Sequence, residues 1–446
     1  MPWIDISATL LIVAALIVGA FTRRRSAVPV IAVGTAAVVL LVVAALLEGM
    51  RMQVVGGFVA AAVGAAVVLW MRSRTAPRLA VAGTSVVAVG VLGIAAVAWV
   101  LPPMSVPAPT GSHAVGVTSH VWTDPTRDAR GGSTPGQQRS LPVTIWYPAE
   151  RAGSPSPYLP QESTRTALTA ALAQQYGLPP LLFDGLRRAT SEETWEAPAA
   201  HGSFPVVIAS PGFASTRWFF TSWAEELVSH GIVVIAVDHP YDAAVAELAD
   251  GTLATDEQEA TGDDAADQAA ADRAAGVRAA DVRAIIDHLE ATPSPAPELV
   301  GADLTTIVAA GHSAGGASAI EAARLDDRIT GVVDIDGMPR SPAGTRLSQP
   351  LVAVVAGDMD PNPEYGQALN SLLSGGTGAR VTLDGVAHLG MMDASRLLGP
   401  VPGLTGVNGP DGPRRAAQAT LTLVTAVETG RPLDLAALRR VGKVQG

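Results

Sequence analysis

The sequence predicts a doubly wound, mostly parallel α/β sheet preceded by an all-α N-terminal region of four membrane-spanning helices. Three observations predict it. Residues 1 to about 101 are nearly free of charge, the remainder has the charge mixture of a soluble domain, and that remainder alternates short apolar runs with helical stretches. The mean hydropathy of +0.30 therefore averages two unlike parts.

In the N-terminal part, Ile4 to Phe21, Val30 to Leu47, Val54 to Met71 and Leu79 to Leu101 are each predominantly apolar. Each is close to the ~17–25 residues that a bilayer crossing needs. Four such stretches in succession without a polar face argue against buried helices of a soluble core. A cleaved signal peptide is disfavoured for the first, because Arg23, Arg24 and Arg25 follow the apolar run instead of preceding it. Those arginines and the group Arg72, Arg74 and Arg78 occupy alternate loops. The positive-inside tendency then places these loops in the cytoplasm, with both termini outside. The expected arrangement is a multi-pass protein of the cell membrane whose C-terminal domain is extracytoplasmic.

Leu101 to Thr110 is proline-rich and reads as a stiff linker, bounded at 102–112, with a soluble domain over 113–446. A net charge of −11 argues against nucleic acid as a partner, since a phosphate backbone needs a basic surface. The chain has no cysteine, which excludes disulfides, thiolate chemistry and cysteine-based metal sites.

Within 113–446, Asp124 to Ser140 is rich in Gly, Pro and Ser and reads as a loop, and Val143 to Tyr147 reads as a strand. Val206 to Ser210, Ile232 to Val237, Thr306 to Ala310, Ile329 to Asp334, Leu351 to Ala356 and Val381 to Leu383 are continuously apolar, as strands buried on both faces are. Helices are expected over Trp223 to His230, Arg273 to Glu290 and Gly316 to Arg324. Asp250 to Asp272 holds eight acidic residues and no basic one. It reads as a solvated insertion, with a lid over the active site as the functional alternative. Ser163 to Arg188 is a further candidate cap element.

Gly311-His312-Ser313-Ala314-Gly315 fits G-x-S-x-G between an expected strand and an expected small-residue helix, the context of a nucleophile elbow in an α/β-hydrolase fold. A serine hydroxyl needs a base within hydrogen-bond reach and an acid to orient that base. The fold's chain order is Ser, then Asp or Glu, then His. His388 is the sole histidine downstream of Ser313. For the acid, Asp336 and Asp360 both follow strands that end on the nucleophile's edge of the sheet; Asp358 is near the later strand end, and Asp334 sits inside its strand. Position alone does not choose among them. The oxyanion hole would use the backbone N–H of Ala314 and one from the loop Ser210-Pro211-Gly212-Phe213, with Phe213 preferred.

At LPVTIWYPA, SPGFASTRWFF, SHGIVVIAVDHPYDA, GHSAGG, the DIDG turn and GVAH, the chain resembles the platelet-activating factor acetylhydrolase family of α/β-hydrolases, with polyester hydrolases and cutinase-like enzymes further off. The resemblance spans roughly Val143 to Asp393. It implies Ser313 as nucleophile, His388 as base and Asp336 as acid, with Asp360 in reserve, and Phe213 and Ala314 at the oxyanion positions. In His239-Pro240-Tyr241-Asp242 a loop-shaping part is implied, not a catalytic one. The four-span N-terminus and the acidic insertion depart from the family, so phospholipid specificity does not follow.

The sequence thus leads to a serine carboxylic ester hydrolase that needs no cofactor or metal and acts on a small-molecule or lipid ester, with the bilayer as its other partner. A non-catalytic membrane-anchored binding module and an amide or peptide hydrolase are the rival readings.

Overall fold

The computed structural model describes the chain except residues 1, 22–27, 49–51, 74–88, 92, 94–103, 105, 133–135, 258–260, 292–295, 343, 358–362, 375–376, 399–402 and 446. It forms two compact units, Met1–Pro103 with Gly177–Gly185, and Met104–Tyr176 with Leu186–Gly446.

In the first unit, Pro2–Phe21, Val28–Glu48 and Met52–Ser73 are helices. Ile12, Leu16, Leu41, Ala60 and Val68 are buried among them, while Leu10, Ile31, Leu46 and Leu69 lie exposed. The expectation of four spans needs correction. Among the described residues only Val28–Leu46 is both long and apolar enough to cross a membrane. The apolar part of the first helix is Ser7–Val18, beginning after Asp5, and that of the third is Val54–Leu69. Both fall short of the ~20 residues a crossing requires. The fourth expected span, residues 79–101, lies outside the described residues apart from 89–91 and 93.

The second unit is built on a ten-stranded sheet. In chain order its strands, with two short side pairs, are β1 (Ala114–Asp128), β2 (Gln138–Ala149), β3 (Ser156–Pro157), β4 (Thr190–Ser191), β5 (Thr194–Trp195), β6 (Phe204–Ser210), β7 (Val233–Val237), β8 (Val245–Glu247), β9 (Leu253–Thr255), β10 (Ala302–His312), β11 (Ile329–Ile335), β12 (Leu351–Ala356), β13 (Gly378–Leu383) and β14 (Lys443–Gln445). The main sheet runs β14-β13-β12-β11-β10-β6-β7-β2-β1-β5. From β13 to β7 every pairing is parallel; β14 and the β2–β1 pair are antiparallel additions at either end. The central strands are apolar at successive positions because helices cover both faces.

Helix Asp264–Ala291 buries Val282, Ile285, Ile286 and Leu289, each worth roughly 1.5–3 kcal/mol, in the core that also holds Val206, Ile208, Ile235 and Ile307. The chain passes from β6 to β7 on one side and returns to β10 on the other, so the strand order reverses at β6. The crevice beyond the carboxyl ends of β6 and β10 is where such a sheet binds its ligand.

Two expectations along this unit are corrected. The loop Asp124 to Ser140 is shorter, because β1 continues to Asp128 and β2 begins at Gln138. The register shifts between Asp124 and Asp128, where the Asp124 carboxylate accepts from Thr126 N and Arg127 Nε. The helix expected from Arg273 starts at Asp264, nine residues earlier, so the last nine residues of the acidic insertion are helical.

A buried acidic pair sits against β2. Trp146 Nε1 donates to Glu193 Oε2 at 2.9 Å, and Glu193 N donates to Glu225 Oε1 at 3.1 Å. Burial first, then the charge of Glu193, pushes Glu225 well above the ordinary carboxyl value; burial also raises Glu193. A raised folded-state value gives stability that is complete below the ordinary carboxyl pKa and is lost as pH rises through the folded one. Thermal midpoints should therefore fall from mildly acidic to alkaline buffer, and Glu225→Gln should flatten that slope. An unchanged slope in the variant would place the titration elsewhere.

Candidate active site

The parallel pairing assembles the site from strand ends. Register between β10 and β6 sets Gly311 opposite Ser210, and register between β10 and β11 sets His312 opposite Ile335. Ser313 follows directly, with its N–H donating to Ile335 O at 2.9 Å. Its backbone has φ 57° and ψ −122°, a region that costs a non-glycine residue of order 1–3 kcal/mol and persists only where the surroundings enforce it. The helix Ala314–Leu325 starts at the next residue. Gly315 is required there because a side chain would run into Ser210 O at the end of β6.

Asp336 leaves β11 at φ 57° and is almost fully buried. Its N–H donates to Val354 O and its Oδ1 accepts from Ala356 N, both at 2.8 Å, so β12 holds both the backbone and one carboxylate oxygen. The remaining oxygen, Oδ2, lies 2.7 Å from His388 Nδ1. His388 stands on the short turn His388–Met391 after β13, one-third exposed. The His312 ring packs on it at 4.6 Å between centroids, and His312 Nε2 donates to His388 O at 3.0 Å. Burial, then the neighbouring His388, lowers His312 to about 3, so it stays neutral and serves as a support.

Ser313 follows β10 and His388 follows β13, with β11 and β12 between those strands, and among the described residues no hydrogen bond joins the two side chains. Such bonds commonly tighten only when substrate is bound. Asp334 lies inside β11 as expected; it is fully buried, accepts from Gly337 N at 2.8 Å and is pushed well up by burial. Asp360 and Asp358 lie outside the described residues.

Ser313, Ala314 and Phe213 share a cleft of about 360 Å³. Opposite them stands helix Asp264–Ala291, which presents Asp267, Ala271, Ala274 and Arg278 at helical spacing, and Met338 and Arg340 complete the rim. Arg340 reaches Gln268 on this helix and lies 3.5 Å from Asp272. The end of the acidic insertion thus lines the cleft through Asp267, Ala270 and Ala271, while most of the residues around them are solvent-exposed, as in the solvated reading. The alanines keep that side apolar and shallow.

A second Ser-His-Asp set occurs nearby. Ser210 Oγ and His239 Nε2 are 2.7 Å apart, as are His239 Nδ1 and Asp281 Oδ2. Burial opposes the charge of Asp281, but Arg139, through attraction and two hydrogen bonds, and then His239 hold its carboxyl far below the ordinary range. Ser210 is wholly buried at the end of β6, and Arg139, His239 and Asp281 are as buried. Geometry alone would nominate this set; access excludes it. It ties β2, β6 and helix Asp264–Ala291 together beneath the loop that bears Phe213.

A family model, platelet-activating factor acetylhydrolase, isoform II, matches residues 100–282. Among solved structures, a ferulic acid esterase from Streptomyces cinnamoneus is similar at 25% identity and a TM-score of 0.61, over 75% of this chain and 96% of its own. No curated protein matches the chain. The chain resembles the platelet-activating factor acetylhydrolase-like α/β-hydrolases. The family match takes in the Phe213 loop and the His239-Pro240-Tyr241-Asp242 run but ends before Ser313, Asp336 and His388. The esterase likeness covers the fold more widely. Within this acetylhydrolase-like frame, sequence reasoning missed Arg278 and the support given by His312. Arg278 lies within the expected helix Arg273 to Glu290, and nothing in one-dimensional spacing points it at the loop after β6.

Proposed function

We propose that the second unit is a serine carboxylic ester hydrolase working through an acyl-enzyme. The observation that carries this reading is the 2.7 Å Asp336–His388 hydrogen bond at the strand end beside the strained Ser313 elbow. His388 takes the proton of Ser313 as Oγ attacks the ester carbonyl carbon. The Phe213 and Ala314 amides receive the developing oxyanion; among the described residues neither is used in another backbone hydrogen bond. Collapse expels the alkoxide, which takes the proton back from His388 and leaves as the alcohol. Water then repeats the sequence on the acyl-enzyme and releases the acid. Asp336 holds the imidazole with its proton on Nδ1, so that Nε2 can accept.

The cleft favours a compact acyl group, because its volume of about 360 Å³ lies at the small end of the ~300–1,000 Å³ that ligand pockets span. Its alanine wall suits apolar acyl chains, and the family resemblance brings short-acyl phospholipids into the candidate set. The esterase likeness adds feruloyl esters. On p-nitrophenyl esters of increasing length, kcat/KM should peak at short acyl chains and fall at long ones, and a matched amide should be far slower. A profile that rises steadily to long chains would contradict the compact site. Equal amide turnover would favour the amidase reading, and no turnover of any ester would favour the binding module.

The N-terminal unit is proposed as a membrane anchor through Val28–Leu46, with Arg23, Arg24 and Arg25 at the cytoplasmic end and the hydrolase unit outside. The exposed Leu10, Ile31, Leu46 and Leu69 suit a lipid environment. The full chain should resist alkaline carbonate extraction, and protease added outside intact cells should cleave the hydrolase unit. Release by carbonate, or complete protection from external protease, would overturn this placement.

A further inference from the structure

We infer that Arg278, clamped by Asp242, is a positioning residue that aims the Phe213 amide into the oxyanion hole, an inference that rests on the esterase reading above. Arg278 is 1% exposed, although its helix walls the cleft. Its Nε and Nη2 donate to the two oxygens of Asp242, each at 2.5 Å. Its other donors go to backbone: Nη1 to Pro211 O at 2.5 Å and Nη2 to Gly212 O at 3.3 Å.

The second of these carbonyls matters because Gly212 C=O and Phe213 N–H belong to one peptide group. That group is planar, and the chain contains no cis peptide among the described residues, so the two dipoles point in opposite directions. A guanidinium holding the carbonyl on one side therefore turns the N–H to the other, towards Ser313 and Ala314, which share the cleft with Phe213. Gly212 also packs closely on the elbow: a Cβ there would lie 3.2 Å from His312 Nδ1 and 3.4 Å from Ser313 Cβ.

Asp242 closes the clamp from the far side. Its backbone carbonyl accepts from Ala214 N at 3.0 Å, and Ala214 is held at φ 46°. Phe213 is thus bracketed, with residues 211 and 212 tied to Arg278 and residue 214 tied to Asp242. A fixed guanidinium fork suits this task, since it presents several donors in one plane and stays charged when buried. The ordering is needed because oxyanion stabilisation depends on donors that are already in place before charge develops. Without the clamp, the Gly212 carbonyl keeps only the 3.3 Å bond from Ser215 N, and glycine offers little resistance to rotation on its side.

The test uses the purified full chain in detergent and Arg278→Met, Arg278→Lys and the neutral pair Arg278→Gln/Asp242→Asn, each checked by thermal melting. Because Arg278→Met strands a buried carboxylate, the neutral pair supplies the reading if that variant does not fold. Kinetics on p-nitrophenyl acetate are accompanied by affinity for a trifluoromethyl ketone, which adds to the serine and forms an oxyanion, and for the matching methyl ketone, which binds without needing the hole. The expected result is a fall in kcat of about 100-fold with KM little changed, the scale of losing one oxyanion donor. Affinity for the trifluoromethyl ketone should fall in parallel while that for the methyl ketone holds, and Arg278→Lys should recover part of both losses. An active wild type with folded variants that keep wild-type kcat, or that lose both ketones equally, would overturn the positioning role and leave the esterase reading standing. A folded wild type with no ester turnover would overturn both.

Discussion

Ser313→Ala is expected to lower kcat for ester hydrolysis by roughly 10⁴- to 10⁶-fold while leaving the thermal midpoint close to that of the wild type. The size follows from the division of labour at the elbow. Removing Oγ leaves the Phe213 and Ala314 amides and the cleft intact, so substrate still binds, but no acyl-enzyme can form and only unassisted attack by water remains. The small stability change follows from what Ser313 contributes to the fold: its N–H bonds Ile335 O and its carbonyl accepts from Gly316 and Ala317, all backbone bonds that alanine keeps. Alanine must still adopt φ 57°, a cost the serine already bears. Steady-state kinetics and melting of the two proteins side by side check both halves. Retention of more than about one-hundredth of wild-type kcat would be incompatible with a serine nucleophile at 313.

Asp336→Asn is expected to lower kcat by about 10⁴-fold, with KM nearly unchanged. The reason lies in which partner the amide must satisfy. Ala356 N–H points at Oδ1 of the carboxylate and can only donate, so the asparagine has to keep its carbonyl oxygen there. The NH₂ group then faces His388 Nδ1 and turns that nitrogen into an acceptor. The ring proton moves to Nε2, and the nitrogen that should take the serine proton no longer can. Asp336→Ala frees His388 of that constraint and should be no worse than the asparagine. Full activity in Asp336→Asn would remove Asp336 from the mechanism.

Much of this was legible in the sequence, for identifiable reasons. β6, β7, β11, β12 and β10 from Thr306 onward are buried almost throughout, so their apolar runs stand out, and the order β10, elbow, helix gives the G-x-S-x-G match its meaning. β1 was illegible because it mixes buried and exposed positions and carries Pro125 within a register shift. The first turns of helix Asp264–Ala291 were missed because alanine and aspartate there form no apolar stripe; they wall a cleft instead of filling a core. In the N-terminal part, hydropathy windows counted spans by average apolarity, whereas a crossing depends on the uninterrupted length, which Val28–Leu46 has and Ser7–Val18 lacks. Asp336 needed the family resemblance, since sequence position alone leaves several aspartates at strand ends. The roles of Arg278 and His312 depend on contacts across 66 and 76 residues, beyond the reach of any local pattern.

Ser313, and not the buried Ser210, is the proposed nucleophile. Labelling the purified full chain with a fluorophosphonate and mapping the adduct by peptide mass spectrometry tests it most directly. One adduct is expected, on the peptide bearing Ser313, absent in Ser313→Ala and strongly slowed in His388→Ala. An adduct on Ser210, labelling that persists in Ser313→Ala, or a folded wild type that takes no label would contradict it.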